Sequence, residues 1–115
     1  MAVNSPNADS SQVAIVVITT AEDEQQAERL ASTLVDLKLA ACVQIVPKIR
    51  SVYLWKGIRE NAVENLLLIK STKDRFDGIE AAIKANHTYD IPEIISLSID
   101  AGSPEYLSWL VSSLA

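Results

Sequence analysis

Val13 to Thr19 (VAIVVIT) is an unbroken, mostly β-branched run, the pattern of a strand covered on both faces. Thr20 then reads as a helix N-cap, with Asp23 three residues on as an acidic form of the capping box. The acids Glu22, Asp23 and Glu24 suit the positive end of a helix dipole. Ala27, Leu30, Ala31, Leu34 and Val35 recur at helical spacing and predict a first helix to about Leu37. Extended character follows from Ala40 to Val46 and resumes from Ile49 to Trp55, one long strand bent at Pro47. Lys56-Gly57 signals a turn, and the chain returns through Val63 to Ser71 around Leu66, Leu67, Leu68 and Ile69. Arg59 to Ala62 reads as a widened hairpin end. Ser71 or Thr72 caps a second helix with Phe76, Ile79 and Ile83 on one face, although Gly78 in mid-helix costs about 1 kcal/mol relative to alanine. Asn86 to Pro92 is a loop and Ile94 to Ile99 a last strand. Ser103 as N-cap and Pro104 at the first helical position open a final helix, buried along Leu107, Leu110, Val111 and Leu114.

The order β-α-β-β-α-β plus a helix predicts an α+β fold: a ferredoxin-like sandwich, antiparallel sheet with two helices on one face, with an additional C-terminal helix. Residues 1–12, small and polar, read as a disordered N-terminal tail and residues 13–115 as a single domain. Val13 to Ile18 and Leu66 to Ile69 do not alternate as strands covered on one face should. The last helix covers part of the second face. Another copy of the chain is the economical cover for the rest, which predicts an oligomer without counting its subunits.

Composition narrows the picture. The 115 residues are 49% hydrophobic, enough for a core, and carry a formal net charge of −5 with no basic run. That excludes a phosphate-binding surface, so neither nucleic acid nor an anionic membrane is an expected partner. The start MAVNSPNADSSQ lacks the features of a signal peptide, no apolar run spans a bilayer, and the single Cys42 forms no internal disulfide. A cytoplasmic protein is expected.

Three glycines cannot build a GxGxxG or P-loop, and no GxSxG, HExxH or paired-cysteine spacing is present. No organic cofactor is expected. His87, the one histidine, lies in the polar segment His87-Thr88-Tyr89-Asp90-Ile91-Pro92-Glu93, where it either ties a loop to a strand or takes part in binding. Cys42 is either a small core residue or a soft ligand for copper or another thiophilic metal. Tyr53 and Trp55 share strand parity and point to one face, lining a pocket, an interface or the core. Glu64 and Lys70 read as solvated ends of an apolar strand, or as partners in an intersubunit ion pair.

Five blocks in order, LAACVQIVP from Leu39, SVYLWKG from Ser51, LLLIKST from Leu66, HTYDIPEI from His87 and EYLSWL from Glu105, resemble the CutA family of divalent-cation tolerance proteins. The resemblance implies a ferredoxin-like subunit in a tight homotrimer, similar in arrangement to PII-type signalling proteins. It also implies a non-enzymatic role in divalent-metal, notably copper, tolerance. Carried over by position, Cys42 and His87 become candidate metal ligands. Tyr53, Trp55, Lys70, Tyr89, Pro92, Glu93 and Trp109 match positions resembling the family's intersubunit cleft. The chain departs from the family pattern at Thr88, where proline is usual, and has Thr19 and Asn86 where copper-binding relatives present Cys and His. The expected function is a homotrimer binding a divalent metal or small ligand at intersubunit clefts. The alternative is a PII-like signalling or scaffolding trimer answering to a metabolite or protein. An acid–base enzyme using His87, Tyr89 and Glu93 is the least favoured reading.

Overall fold

The structure, a computed structural model, describes residues 12–115, so the expected tail lies outside the described residues except for Gln12. The described residues form four strands, β1 (Ala14–Ala21), β2 (Cys42–Trp55), β3 (Ile58–Thr72) and β4 (Ile95–Ser98), and three α-helices, α1 (Glu24–Asp36), α2 (Phe76–Asn86) and α3 (Pro104–Ser112). The sheet runs β2-β3-β1-β4, antiparallel throughout. This is the ferredoxin-like order, as the sequence predicts.

Helix α1 begins three residues later than the reading that placed its cap at Thr20. The N-cap is Asp23, whose carboxylate accepts from the Gln26 amide at 2.8 Å, while Gln26 Oε1 accepts from the Glu22 amide at 3.0 Å. Thr20 instead extends β1, opposite Leu66. Helix α2 differs at the same end. Thr72 precedes a single 3₁₀ turn, Lys73–Arg75, and Ser71 donates to the Leu39 carbonyl at 2.6 Å. Gly78 has a packing reason: a Cβ there would sit 2.8 Å from Leu39 Cδ2, so the missing side chain lets Leu39 approach the helix. Helix α3 starts as expected, with Ser103 accepting from the Tyr106 amide and Pro104 next.

Strand parity explains where the core sits. Ile15, Val17, Leu67 and Ile69 face α1 and α2 and are buried with Leu30, Leu34, Ile79 and Ile83. The residues between them point to the opposite, open face. Helix α3 covers one end of that face, burying Ala14 under Leu107, Leu110 and Leu114. Beyond it, Val16, Ile18, Leu66 and Leu68 are half-buried, and Ile95 and Leu97 on β4 are exposed.

Strand β1 pairs with β3 only from Asn65 onward, so, among the described residues, residues 58–64 of β3 have β2 as their sole strand neighbour. The β2–β3 hairpin thus runs past the body of the sheet. It is regular to its tip, where Trp55 pairs with Ile58, rather than widened at Arg59 to Ala62. The two-residue turn achieves this because Lys56 and Gly57 adopt φ 52° and 80°, the left-handed pair that matches strand twist. Gly57→Ala is expected to lower stability by about 1 kcal/mol through that positive φ, since no neighbour crowds the site. Urea denaturation checks this.

The bend expected at Pro47 is a register shift between Val46 and Ile49, with Lys48 at φ 59°. It changes the parity of β2. Cys42 and Gln44 point to the open face before the shift; afterwards Ser51, Tyr53 and Trp55 do, opposite Ala62, Glu60 and Ile58.

Candidate functional site

A cavity of about 590 Å³ opens on the open face, where the projecting hairpin meets the α2–β4 loop. The hairpin supplies Tyr53, Trp55, Glu60 and Glu64, and β1 supplies Thr20. The loop supplies Tyr89, Asp90, Ile91 and Glu93. The register shift at Pro47 is what places both aromatic rings of β2 on the same face as the two β3 glutamates.

Glu64 is the most buried acid of the wall, at 6% exposure. Tyr89 Oη donates to its Oε2 at 2.7 Å. Burial raises the Glu64 carboxyl, but hydrogen bonds from Ser51, Tyr89 and Thr20 outweigh it and hold the group below its ordinary 4.5. Burial in turn pushes the Tyr89 phenol well above its ordinary 10.0, aided by its bond to Glu64 and the charges of Glu64, Glu22 and Tyr53. The phenol therefore remains a donor across the physiological range.

The sign of the linkage follows. A depressed folded pKa means the folded chain holds fewer protons, so the Glu64 contribution is complete above pH 4.5 and is lost as pH falls through the folded value. The difference in urea midpoint between the wild type and Glu64→Gln is expected to shrink steadily below pH 4.5. A difference independent of pH from 3 to 7 would contradict it.

His87 sits behind this wall and does not line the cavity. The Tyr89 amide donates to its Nδ1 at 3.0 Å, and its Nε2 lies 2.6 Å from the Thr20 carbonyl. A backbone N–H only donates and a carbonyl only accepts, so Nε2 carries the hydrogen and Nδ1 accepts. Both ring nitrogens are committed, and the ring packs 4.6 Å from that of Tyr89. Thr88 has its own anchor, its hydroxyl accepting from Gln26 Nε2 at 3.1 Å. That contact ties the loop to the first turn of α1 at the position where the sequence departs from the family motif.

Of the expected site residues, Tyr53, Trp55, Tyr89 and Glu93 meet at the cavity. Lys70 does not line it. It lies within β3 rather than at a strand end, and Nζ donates to Gln44 Oε1 at 2.6 Å. Trp109 is on α3, half-exposed and packed on Tyr106 at 5.5 Å. Cys42 is half-buried on the open face opposite Lys70, not in the helix-covered core. Its rung lies four residues along β3 from the Leu66–Thr20 rung that holds His87, roughly 13 Å at the usual strand rise. One chain therefore does not bring Cys42 and His87 together. Among the described residues, no three His, Cys, Asp or Glu side chains are grouped so as to hold a metal ion. Sequence reasoning did not place Thr20, Glu60, Glu64, Asp90 or Ile91 at the site, and it read Glu64 as a solvated strand end. The parity of Glu60 with Glu64 on β3 was the available signal.

The fold and this cavity define a ferredoxin-like α+β domain with a ligand-sized pocket on its open sheet face. The chain belongs to the family described as CutA1 divalent ion tolerance protein, whose sequence pattern matches residues 15–113. It is 43% identical over 113 residues to the divalent-cation tolerance protein CutA of Yersinia pestis, covering 98% of this chain and 95% of that one. It is 46% identical over 99 residues to the chloroplastic protein CutA 1 of rice, Oryza sativa, covering 86% of this chain. The match spans only 56% of the rice protein's length. The crystal structure of CutA1 from Oryza sativa superposes with a TM-score of 0.87 at 43% identity, covering 91% of this chain and 96% of that one. Among the described residues, no helix is long and apolar enough to cross a membrane.

Proposed function

We propose that the chain acts in divalent-cation tolerance as a non-enzymatic cytoplasmic homotrimer whose intersubunit clefts take up a small ligand. The observation that carries this reading is an apolar strip of the open face, Val16, Ile18, Leu68, Ile95 and Leu97, which the described residues leave uncovered and which runs up to the cavity. A copy of the chain seated on that strip brings its own atoms against the pocket mouth and turns a surface cavity into a cleft.

Copper fits one chain's donor set poorly. Both His87 nitrogens are committed, Cys42 lies on a distant rung, and no group of three ligands converges among the described residues. The role in tolerance then runs through a ligand other than copper held by Cys42 and His87. Native mass spectra of metal-stripped protein, repeated with one copper equivalent per chain and competing zinc, test both parts. The expected result is a mass of three chains whose copper adducts zinc displaces and His87→Ala leaves unchanged. A single-chain mass overturns the assembly. Stoichiometric copper that resists zinc and disappears in Cys42→Ser or His87→Ala overturns the small-ligand reading in favour of a metal site.

A further inference from the structure

Four of the residues lining the cavity are carboxylic acids, Glu60, Glu64, Asp90 and Glu93, and among the described residues no lysine, arginine or histidine lines it. Three others are aromatic, Tyr53, Trp55 and Tyr89. A wall of this kind attracts cations, but its two components select between kinds of cation. A divalent metal ion needs several oxygens converging within about 2.0–2.6 Å and is reluctant to shed water against aromatic carbon. The carboxylates here are dispersed: Glu60 and Glu64 are four residues apart on one strand, roughly 13 Å between their Cα atoms. One oxygen of Glu64 is already taken by Tyr89 Oη. An organic ammonium ion has the opposite needs. Its single charge is far less strongly hydrated than that of a divalent metal ion, ring faces stabilise it, and its apolar stem fills space that water would otherwise occupy.

We infer that this cavity is a binding site for an organic ammonium ion, with Tyr53 and Trp55 as the ring wall and Glu64 and Glu93 as the charge partners. The inference rests on the reading of this pocket as the working site and names the chemistry of its ligand. Glu64 suits the part: it is almost fully buried, yet its hydrogen bonds favour the anion. The cavity volume falls within the usual range for small-molecule sites and exceeds what a bare metal ion requires.

The test uses the full chain carrying Trp109→Phe, which leaves Trp55 as the single tryptophan reporting from the cavity wall. Tryptophan emission is followed while 1,4-diaminobutane, the uncharged isostere 1,4-butanediol, or magnesium chloride is added at constant ionic strength. The diamine is expected to saturate the signal, with its Kd raised about tenfold by Tyr53→Ala and by Glu93→Gln, while the diol and magnesium leave the emission unchanged. Saturation by the diol at the same concentration overturns the inference, because recognition is then of the stem alone. Displacement of the diamine by magnesium overturns it equally, because the site then answers to charge alone. So does binding that appears only in a dissociated variant, which would mean that a neighbouring copy already fills the pocket. Native mass measured on the same samples separates the two readings. A trimer that ignores the diamine sinks this inference alone, and a monomer that binds it sinks the assembly alone.

Discussion

Leu67→Ala is expected to destabilise the chain by about 2–5 kcal/mol and to lower the thermal midpoint by roughly 10–25 °C. Leu67 is 0% exposed and lies on β3, opposite Thr19 of β1 and Ile45 of β2. Its side chain points to the face on which α1 and α2 pack, among Ile69, Leu30, Leu34 and Ile79. Removing its terminal carbons leaves a cavity bounded by two strands and two helices, and such walls collapse poorly because each is fixed by its own hydrogen bonds. Leu37→Ala is the matched control. Leu37 is 61% exposed at the end of α1, and the same change there is expected to move stability by no more than about 0.5 kcal/mol. Thermal melts of both variants at one protein concentration make the comparison, since assembly adds a concentration-dependent part to any midpoint. A Leu67 loss no larger than that of Leu37 would show that the sheet–helix layer is not where the stability resides.

The fold was legible because its signals are local. Ser103-Pro104 opens α3, Lys56-Gly57 turns the hairpin, and the spacing of Leu30, Leu34, Ile79 and Ile83 gives the buried stripes of both packed helices. Thr20 was misread because its local context, a hydroxyl three residues before an acid, imitates a cap. What keeps it in β1 is distant in the chain: pairing with Leu66 and the contact between its carbonyl and His87. The site was legible only in part for a related reason. Tyr53 and Trp55 can be put on one face from their spacing alone, but which β3 residues share that face depends on the shift at Pro47 and Lys48. One residue of slip would have exchanged Glu60 and Glu64 for Asn61 and Asn65, leaving Asp90 and Glu93 of the loop as the wall's carboxylates. Cys42 shows the converse. Its strand-like surroundings suggest a core position, and only the register reveals that it stands opposite Lys70 on the open face.

If copies meet as proposed above, Leu97→Glu is expected to convert that proposed homotrimer into single chains at micromolar concentration while leaving their secondary structure intact. Leu97 lies on the edge strand β4 opposite Val16, with its side chain on the open face, and is 56% exposed in the isolated chain. A glutamate there therefore costs the lone chain little, since the carboxylate stays in water. In an assembly that covers the open face the same carboxylate would be buried against apolar side chains in every copy, at several kcal/mol each, with like charges brought together. Ser96→Glu supplies the control that isolates geometry from charge. Ser96 is on the same strand, also exposed, and opposite Val17, so its side chain leaves from the helix-bearing face. That variant has the same net charge and the same edge strand, and is expected to remain assembled. Sedimentation velocity with circular dichroism on both proteins decides the matter. If Leu97→Glu alone dissociates, the open face beside the cavity is the surface on which copies meet. If both variants dissociate, the edge of β4 rather than its open face carries the contact. If neither does, the apolar strip is covered by something other than a copy of the chain, and the cavity at its end belongs to one subunit alone.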